Sequence, residues 1–159
     1  MNNVSPIIDY NTYFIKQNNS NWKNIQLGTS TETVGSAGCY VCSIAMIICW
    51  YLEDGTTATK KAVITKLAAN CNSSGGYKGG TITYAGHRFT TITITDMAQR
   101  LLNGYPSIAK AAGTRGTHFV VVNGYDNSGS TSWECYLVLD PGWDYDNLQE
   151  VLDEKAQRQ

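Results

Sequence analysis

The chain carries five cysteines, at positions 39, 42, 49, 71 and 135, and only two histidines, His87 and His118. Cys39 has the setting of a nucleophile. It stands where the small-residue stretch Ser36-Ala37-Gly38 meets a long apolar run. Backbone N–H groups at a helix start favour thiolate over thiol and can hold a developing oxyanion. His118 opens the run His118-Phe119-Val120-Val121-Val122-Asn123-Gly124-Tyr125, directly after the Gly-rich turn 113–117. Asp140 ends Leu137-Val138-Leu139-Asp140, and Pro141 then stops strand pairing. In two antiparallel strands joined by a hairpin, the start of one lies beside the end of the next. The spacing therefore predicts His118 and Asp140 as neighbours. A carboxylate that orients an imidazole, which in turn deprotonates a thiol, is the machinery of nucleophilic acyl chemistry.

Other chemistries have less support in the residues. Cys39-x-x-Cys42 has the spacing of half a zinc site, but no second Cys or His pair completes four ligands. As a redox pair it lacks the preceding strand of a thioredoxin-like unit. Cys42 and Cys49 lie seven residues apart, on one helix face, and read as small apolar core residues. Cys71 and Cys135 carry no signal. No Gly-x-Ser-x-Gly elbow is present for a serine hydrolase. The stretch Gly75-Gly76-Tyr77-Lys78-Gly79-Gly80-Thr81 lacks the spacing of a phosphate-binding loop and reads as a flexible loop. His87 falls in that Gly-rich region and reads as a surface-loop histidine, with a place at a substrate rim as its functional alternative. Asp126 reads as a turn residue. Trp133, Trp143 and Tyr145, close to Asp140 in sequence, read either as a substrate groove or as packing beside the sheet.

The elements that must position these groups follow from hydrophobic pattern. Residues 1–21 are Asn-rich and predict a lead-in with one short element. Residues 22–38 read as a long structured loop. Cys39 to Leu52 is apolar nearly all round, which predicts a buried central helix, capped by Ser36 or Gly38 and ended by Glu53-Asp54-Gly55. Ala58 to Asn70 predicts an amphipathic helix with Ala62, Val63, Leu67 and Ala68 inward. Residues 71–86 read as loop. Thr90 to Ile94 alternates as a strand does, and Thr95-Asp96 offers a cap for a short helix, Met97 to Asn103. Pro106 to Lys110, His118 to Tyr125 and Trp133 to Leu139 predict antiparallel strands. Helices first and an antiparallel sheet after give an α+β class.

At 159 residues, with 42% hydrophobic and 16% charged residues, the chain predicts one globular domain, 1–159. Its net charge is −1, and no basic stripe marks it for nucleic acid. The segment 140–159 holds six acids and two bases and reads as a solvated acidic helix, with 146–159 a C-terminal helix or linker. The longest apolar run, Ile44 to Leu52, is far short of a bilayer span, and the N-terminus has no signal-peptide pattern. An odd number of scattered cysteines fits free thiols in a reducing compartment. The expected location is the cytoplasm, or the exterior after release on lysis.

The motif blocks, taken together, carry a resemblance. Trp22…Leu27-Gly28…Gly38-Cys39…Ser43-x-Ala45-Met46 resembles the start of a C39-like, papain-fold cysteine peptidase domain. Gly104-Tyr105-Pro106 and Gly116-Thr117-His118-Phe119-Val120-Val121-Val122-x-Gly124-Tyr125 resemble that family's histidine strand, and Asp140-Pro141 its third catalytic position. The blocks span residues 22–142. The resemblance implies a papain-like α+β fold, with N-terminal helices and a central buried helix packed on a C-terminal antiparallel sheet. It implies Cys39 as nucleophile, His118 as general base and then acid, and Asp140 as the group that orients it. The implied activity is that of a thiol hydrolase on a peptide or protein, peptidoglycan peptides included, with no cofactor and no metal. An acyl transferase with an amine acceptor, or a non-catalytic binding module, fits the same residues. Papain-type sites also take an oxyanion donor from a glutamine a few residues before the cysteine. That position falls near Thr33. The one nearby glutamine, Gln26, lies 13 residues before Cys39, leaving Ser36 and Asn24 as substitutes.

Overall fold

The computed structural model describes residues 1–156. In chain order the elements are α1 (Tyr10–Tyr13), α2 (Val34–Ala37), α3 (Cys39–Leu52), α4 (Thr57–Ala69), β1 (Thr81–Tyr84), β2 (His87–Thr90), α5 (Met97–Leu102), β3 (Ser107–Gly113), β4 (Gly116–Tyr125), β5 (Tyr136–Leu139) and α6 (Leu148–Ala156). The result is a mixed α/β arrangement with two antiparallel sheets, compatible with a papain-like fold. No helix among the described residues is long and apolar enough to cross a membrane.

The apolar run from Cys39 forms α3 over the predicted bounds. Val41 to Met46, Ile48 and Cys49 are buried, as an all-round apolar helix requires. Glu53 ends it in the left-handed region at φ 54°. Its start is set by a short preceding helix that the pattern of 22–38 does not announce. Thr33 Oγ1 accepts from Ser36 N, and Ser36 Oγ accepts from Thr33 N, a reciprocal capping box for α2. Ser36 thus serves the capping box of α2, whose N-cap is Thr33, and Gly38 alone occupies the cap of α3. A Cβ at Gly38 would lie 2.4 Å from the Val34 carbonyl oxygen, so only glycine lets the chain turn from α2 into α3. That turn leaves Cys39 as the first helical residue.

α4 buries Val63, Ile64, Leu67 and Ala68, one stripe of the 3.6-residue period. Ala62, expected inward, lies on the opposite side of the helix from that stripe and is exposed, and Ile64 takes its place. The loop expected over 71–86 instead gives up its end to a hairpin. β1 pairs with β2 in the register Thr81↔Thr90 to Tyr84↔His87. The turn is Ala85-Gly86, with φ of 50° and 79°, the two positive values of a type I′ turn. The strand expected over Thr90 to Ile94 does not form: β2 ends at Thr90, and residues 91–94 alternate in type without pairing to a strand among the described residues. The short helix capped by Asp96 forms as predicted, with Asp96 Oδ1 accepting from Gln99 N at 2.9 Å.

The larger sheet runs in the order β3-β4-β5, antiparallel throughout. β5 begins at Tyr136, since Trp133 to Cys135 belong to the preceding turn. α3 covers one face of β4, and α6 covers the other, where Leu148 and Val151 meet Ala111, Val120 and Val138. Both faces are covered, which accounts for the unbroken run Val120-Val121-Val122. The acidic C-terminal segment is therefore a packed helix with an acidic outer face rather than a fully solvated one. Residues 157–159 of its expected extent lie outside the described residues.

The N-terminal lead-in is also part of the framework. Pairing in β4–β5 shifts between Val122 and Gly124, and the intervening Asn123 is buried. Its Oδ1 accepts from Ile8 N at 2.7 Å, and its Nδ2 donates to Ile8 O at 3.0 Å. Val4 pairs with Tyr125. Residues 4–8 thus lie along the sheet, and the chain continues from there toward Asp140.

Candidate active site

The first turn of α3 presents Cys39 to β4, beside His118 and Phe119. Two ties fix the helix to that strand. Ser43 Oγ donates to the Phe119 carbonyl at 3.3 Å, and Tyr40 stacks on Phe119 with ring centroids 4.2 Å apart. His118 Nε2 and Asp140 Oδ1 are 2.6 Å apart, both side chains buried. The same oxygen accepts the backbone N–H groups of Gly142 at 2.9 Å and Trp143 at 3.0 Å. Three donors on one oxygen hold the carboxylate rigidly, and Nε2 is committed to it. The other ring nitrogen, Nδ1, is left for Cys39, whose thiol is hydrogen-bonded to the ring.

Burial alone would raise the Cys39 thiol. The hydrogen bond and charge of His118, with the backbone N–H groups of Phe119 and Tyr40, outweigh it and hold Cys39 below the ordinary thiol range. Burial also works against a charged His118. The hydrogen bonds and charges of Asp140 and Cys39 overcome it and push the imidazole up to about 9. These shifts favour thiolate and imidazolium together, as a coupled pair. Three other cysteines go the opposite way. Burial raises Cys42 far out of reach, raises Cys71, and pushes Cys49 up to about 12.

One residue of the site escaped sequence reasoning. Gln17 lies in the cleft with Cys39 and His118. Its backbone N–H donates to the Pro141 carbonyl at 2.8 Å, next to Asp140. Its Nε2 donates to the Gly35 carbonyl at 3.1 Å, which fixes which end of the amide is the donor. A Cβ on Gly142 would stand 3.0 Å from His118 Cε1 and 3.1 Å from Gln17 Oε1, so glycine there lets imidazole and amide pack side by side. Gln17 precedes Cys39 by far more than the few residues expected. The only signal available was its place among polar residues before Trp22, whose indole Nε1 donates to the Lys16 carbonyl at 2.8 Å and pins that segment.

The donors considered in its stead are otherwise engaged or distant. Gln26 Nε2 donates to the Ser30 carbonyl at 2.6 Å. Ser36 lines the cleft, but its hydroxyl is held by Glu32 and Thr33. Asn24 is exposed and outside the cleft. His87 is exposed on β2 against Tyr51, also outside the cleft. Trp143 lines it, with Tyr145 stacked behind at 6.3 Å. Trp133 packs on Tyr136 instead and does not join them. Asp126 forms the expected turn, accepting from Ser128 N at 3.1 Å. Among the described residues, no cluster of three His, Cys, Asp or Glu side chains is arranged to hold a metal ion.

The cleft has a volume of about 680 Å³, and Gly75, Gly76 and Tyr77 line it along with Trp143. A thiol at a helix N-terminus, an imidazole beside it and a side-chain amide in the same cleft form a set suited to acyl chemistry. Compared with known proteins, the chain matches the family model described as the Peptidase_C39 like family over residues 10–158. No curated protein and no solved structure matches it.

Proposed function

The chain belongs to the C39-like peptidase family, and on that premise we propose that it is a cysteine peptidase that cleaves a peptide or related amide bond with Cys39, His118 and Asp140. The observation that carries this reading is the 2.6 Å contact between His118 Nε2 and Asp140 Oδ1, with Cys39 hydrogen-bonded to the same imidazole. In the reaction, Cys39 Sγ attacks the carbonyl carbon and the carbonyl oxygen becomes an oxyanion. The backbone N–H of Cys39, without an intrahelical acceptor at the first position of α3, and the second hydrogen of Gln17 Nε2 receive that charge. His118 gives its Nδ1 proton to the leaving amine, and a thioester to Cys39 remains. Water then gives a proton to His118 and attacks the thioester. Collapse of the second oxyanion frees the acid and restores the thiolate–imidazolium pair.

Two measurements test it. Alkylation with iodoacetamide between pH 4 and 9, followed by peptide mass spectrometry, is expected to label Cys39 far ahead of Cys42, Cys49 and Cys71, with a pH dependence that His118→Ala moves upward. Cys39→Ala is expected to lose turnover and keep its circular dichroism. Full activity in Cys39→Ala, on a peptide the wild type cleaves, would falsify the assignment.

A further inference from the structure

Tyr40, Tyr77 and Phe119 border the catalytic cleft on one side and a second hollow of about 640 Å³ on the other. Tyr40 stacks on Phe119 and meets Tyr77 edge-on at 5.7 Å, so these three rings are the shared border of two adjoining hollows, taken together as one trough. The floor of the second hollow is α3. Tyr40, Ile44, Ile47 and Ile48 stand at i, i+4, i+7 and i+8, one face of the helix beginning next to Cys39. That face runs about 12 Å at 1.5 Å per residue, the length of about four residues of extended peptide. Phe89 and Ile94, from β2 and the segment after it, supply the facing wall.

The charges along this trough are sorted by sign. Apart from Cys39, His118 and the phenols of Tyr40 and Tyr77, the ionisable side chains lining the two hollows are Arg88, Arg100, Lys110 and Lys155, with no carboxylate among them. The chain as a whole has 13 acids and 12 bases, so composition does not produce this sorting. Lys155 is paired with Glu154 at 3.2 Å. Arg88, Arg100 and Lys110 are exposed at the apolar hollow and form no ion pair among the described residues. Arg100 lies over the Tyr105 ring at 5.1 Å, and Lys110 is opposite Phe119 in the sheet register.

We propose that this trough receives the substrate as an extended acidic–apolar peptide, with apolar side chains on the α3 floor and carboxylates against Arg88, Arg100 and Lys110. The acidic residues fall within about four positions of the scissile bond, the reach of the floor. The inference rests on the reading of Cys39 as the nucleophile, since the trough matters for cleavage only through its continuity with that residue.

The test reads binding, so it stands apart from turnover. Fluorescein-labelled Glu-Ile-Glu-Ile-Ala-Ala and its twin Lys-Ile-Lys-Ile-Ala-Ala are titrated into Cys39→Ala protein and followed by anisotropy. The acidic twin is expected to bind about tenfold more tightly at low salt, the contribution of two or three exposed ion pairs. The advantage shrinks at about 1 M salt and in the triple variant Arg88→Gln, Arg100→Gln, Lys110→Gln. It reverses in Arg100→Glu, Lys110→Glu. Equal affinity of the twins, or an acidic preference that survives the triple substitution, overturns the proposal. So does equally tight binding of Glu-Ser-Glu-Ser-Ala-Ala, which would show that bare charge suffices. Failure of the catalytic reading appears elsewhere, in the alkylation of Cys39 in the wild type, and leaves the comparison of twins intact.

Discussion

His118 holds its proton because of what surrounds both of its nitrogens, so its titration and that of Cys39 belong to the pair. The thiol side of the pair lies below the ordinary thiol range and the imidazole side near 9. The expected kcat/KM profile is therefore a bell. Activity falls as pH drops through the lowered Cys39 value, where the nucleophile is protonated. It falls again as pH rises through about 9, where the leaving amine loses its proton donor. Asp140→Asn keeps a hydrogen-bond acceptor but removes the charge that raises His118. The alkaline limb should move down, and iodoacetamide should label Cys39 more slowly at pH 5. An unmoved alkaline limb would show that Asp140 does not set the imidazole. Gln17 acts on a different quantity, since it is not among the groups that shift Cys39. Gln17→Ala is expected to lower kcat by about 100- to 1,000-fold, the usual loss of one oxyanion donor, with the pH dependence of Cys39 alkylation preserved. A loss seen in KM alone would speak against an oxyanion role.

At the scale of elements, the site depends on a segment that looks like a tail. Residues 4–8 are held by Asn123, whose side chain satisfies both backbone groups of the fully buried Ile8. Asn123→Ala leaves that N–H and C=O without partners, at a cost of about 3 kcal/mol. The expected drop in Tm is about 6–12 °C, measured by thermal denaturation. A Tm within a degree of wild type would mean that the lead-in carries no stability. What could be read from sequence divides along similar lines. α3 was legible to its last residue, because a run apolar but for Ser43, set between Gly38 and Glu53-Asp54-Gly55, admits few alternatives. The approach of Asp140 to His118 was legible from strand ends. The β1–β2 hairpin was not, because Ala85 occupies a left-handed position that Asn usually announces. Gln17 was hidden for another reason. Nothing local distinguishes it, and its position follows from the Pro141 carbonyl and the Trp22 anchor, contacts that exist only once the chain has closed.

For the molecule as a whole, the three-stranded sheet is the shared wall of two compartments, the large core under α3 and the smaller one under α6. The candidate site sits at the edge of that wall, where its parts arrive from far separated stretches: Gln17, Cys39, His118 and Asp140 through Trp143. This wide separation bears on synthesis. A ribosome-bound chain exposes Cys39 about a hundred residues before it exposes Asp140, an interval on the order of 5–20 s at ordinary elongation rates. Through most of that interval the thiol has neither the imidazole of His118 nor the Phe119 N–H that together lower it. It remains an ordinary cysteine, and the nascent chain is inert toward peptides around it. The proposed peptidase chemistry becomes available only after both His118 and Asp140 have emerged, so the order of residues along the chain itself delays the reactive thiolate until there is a folded protein to contain it.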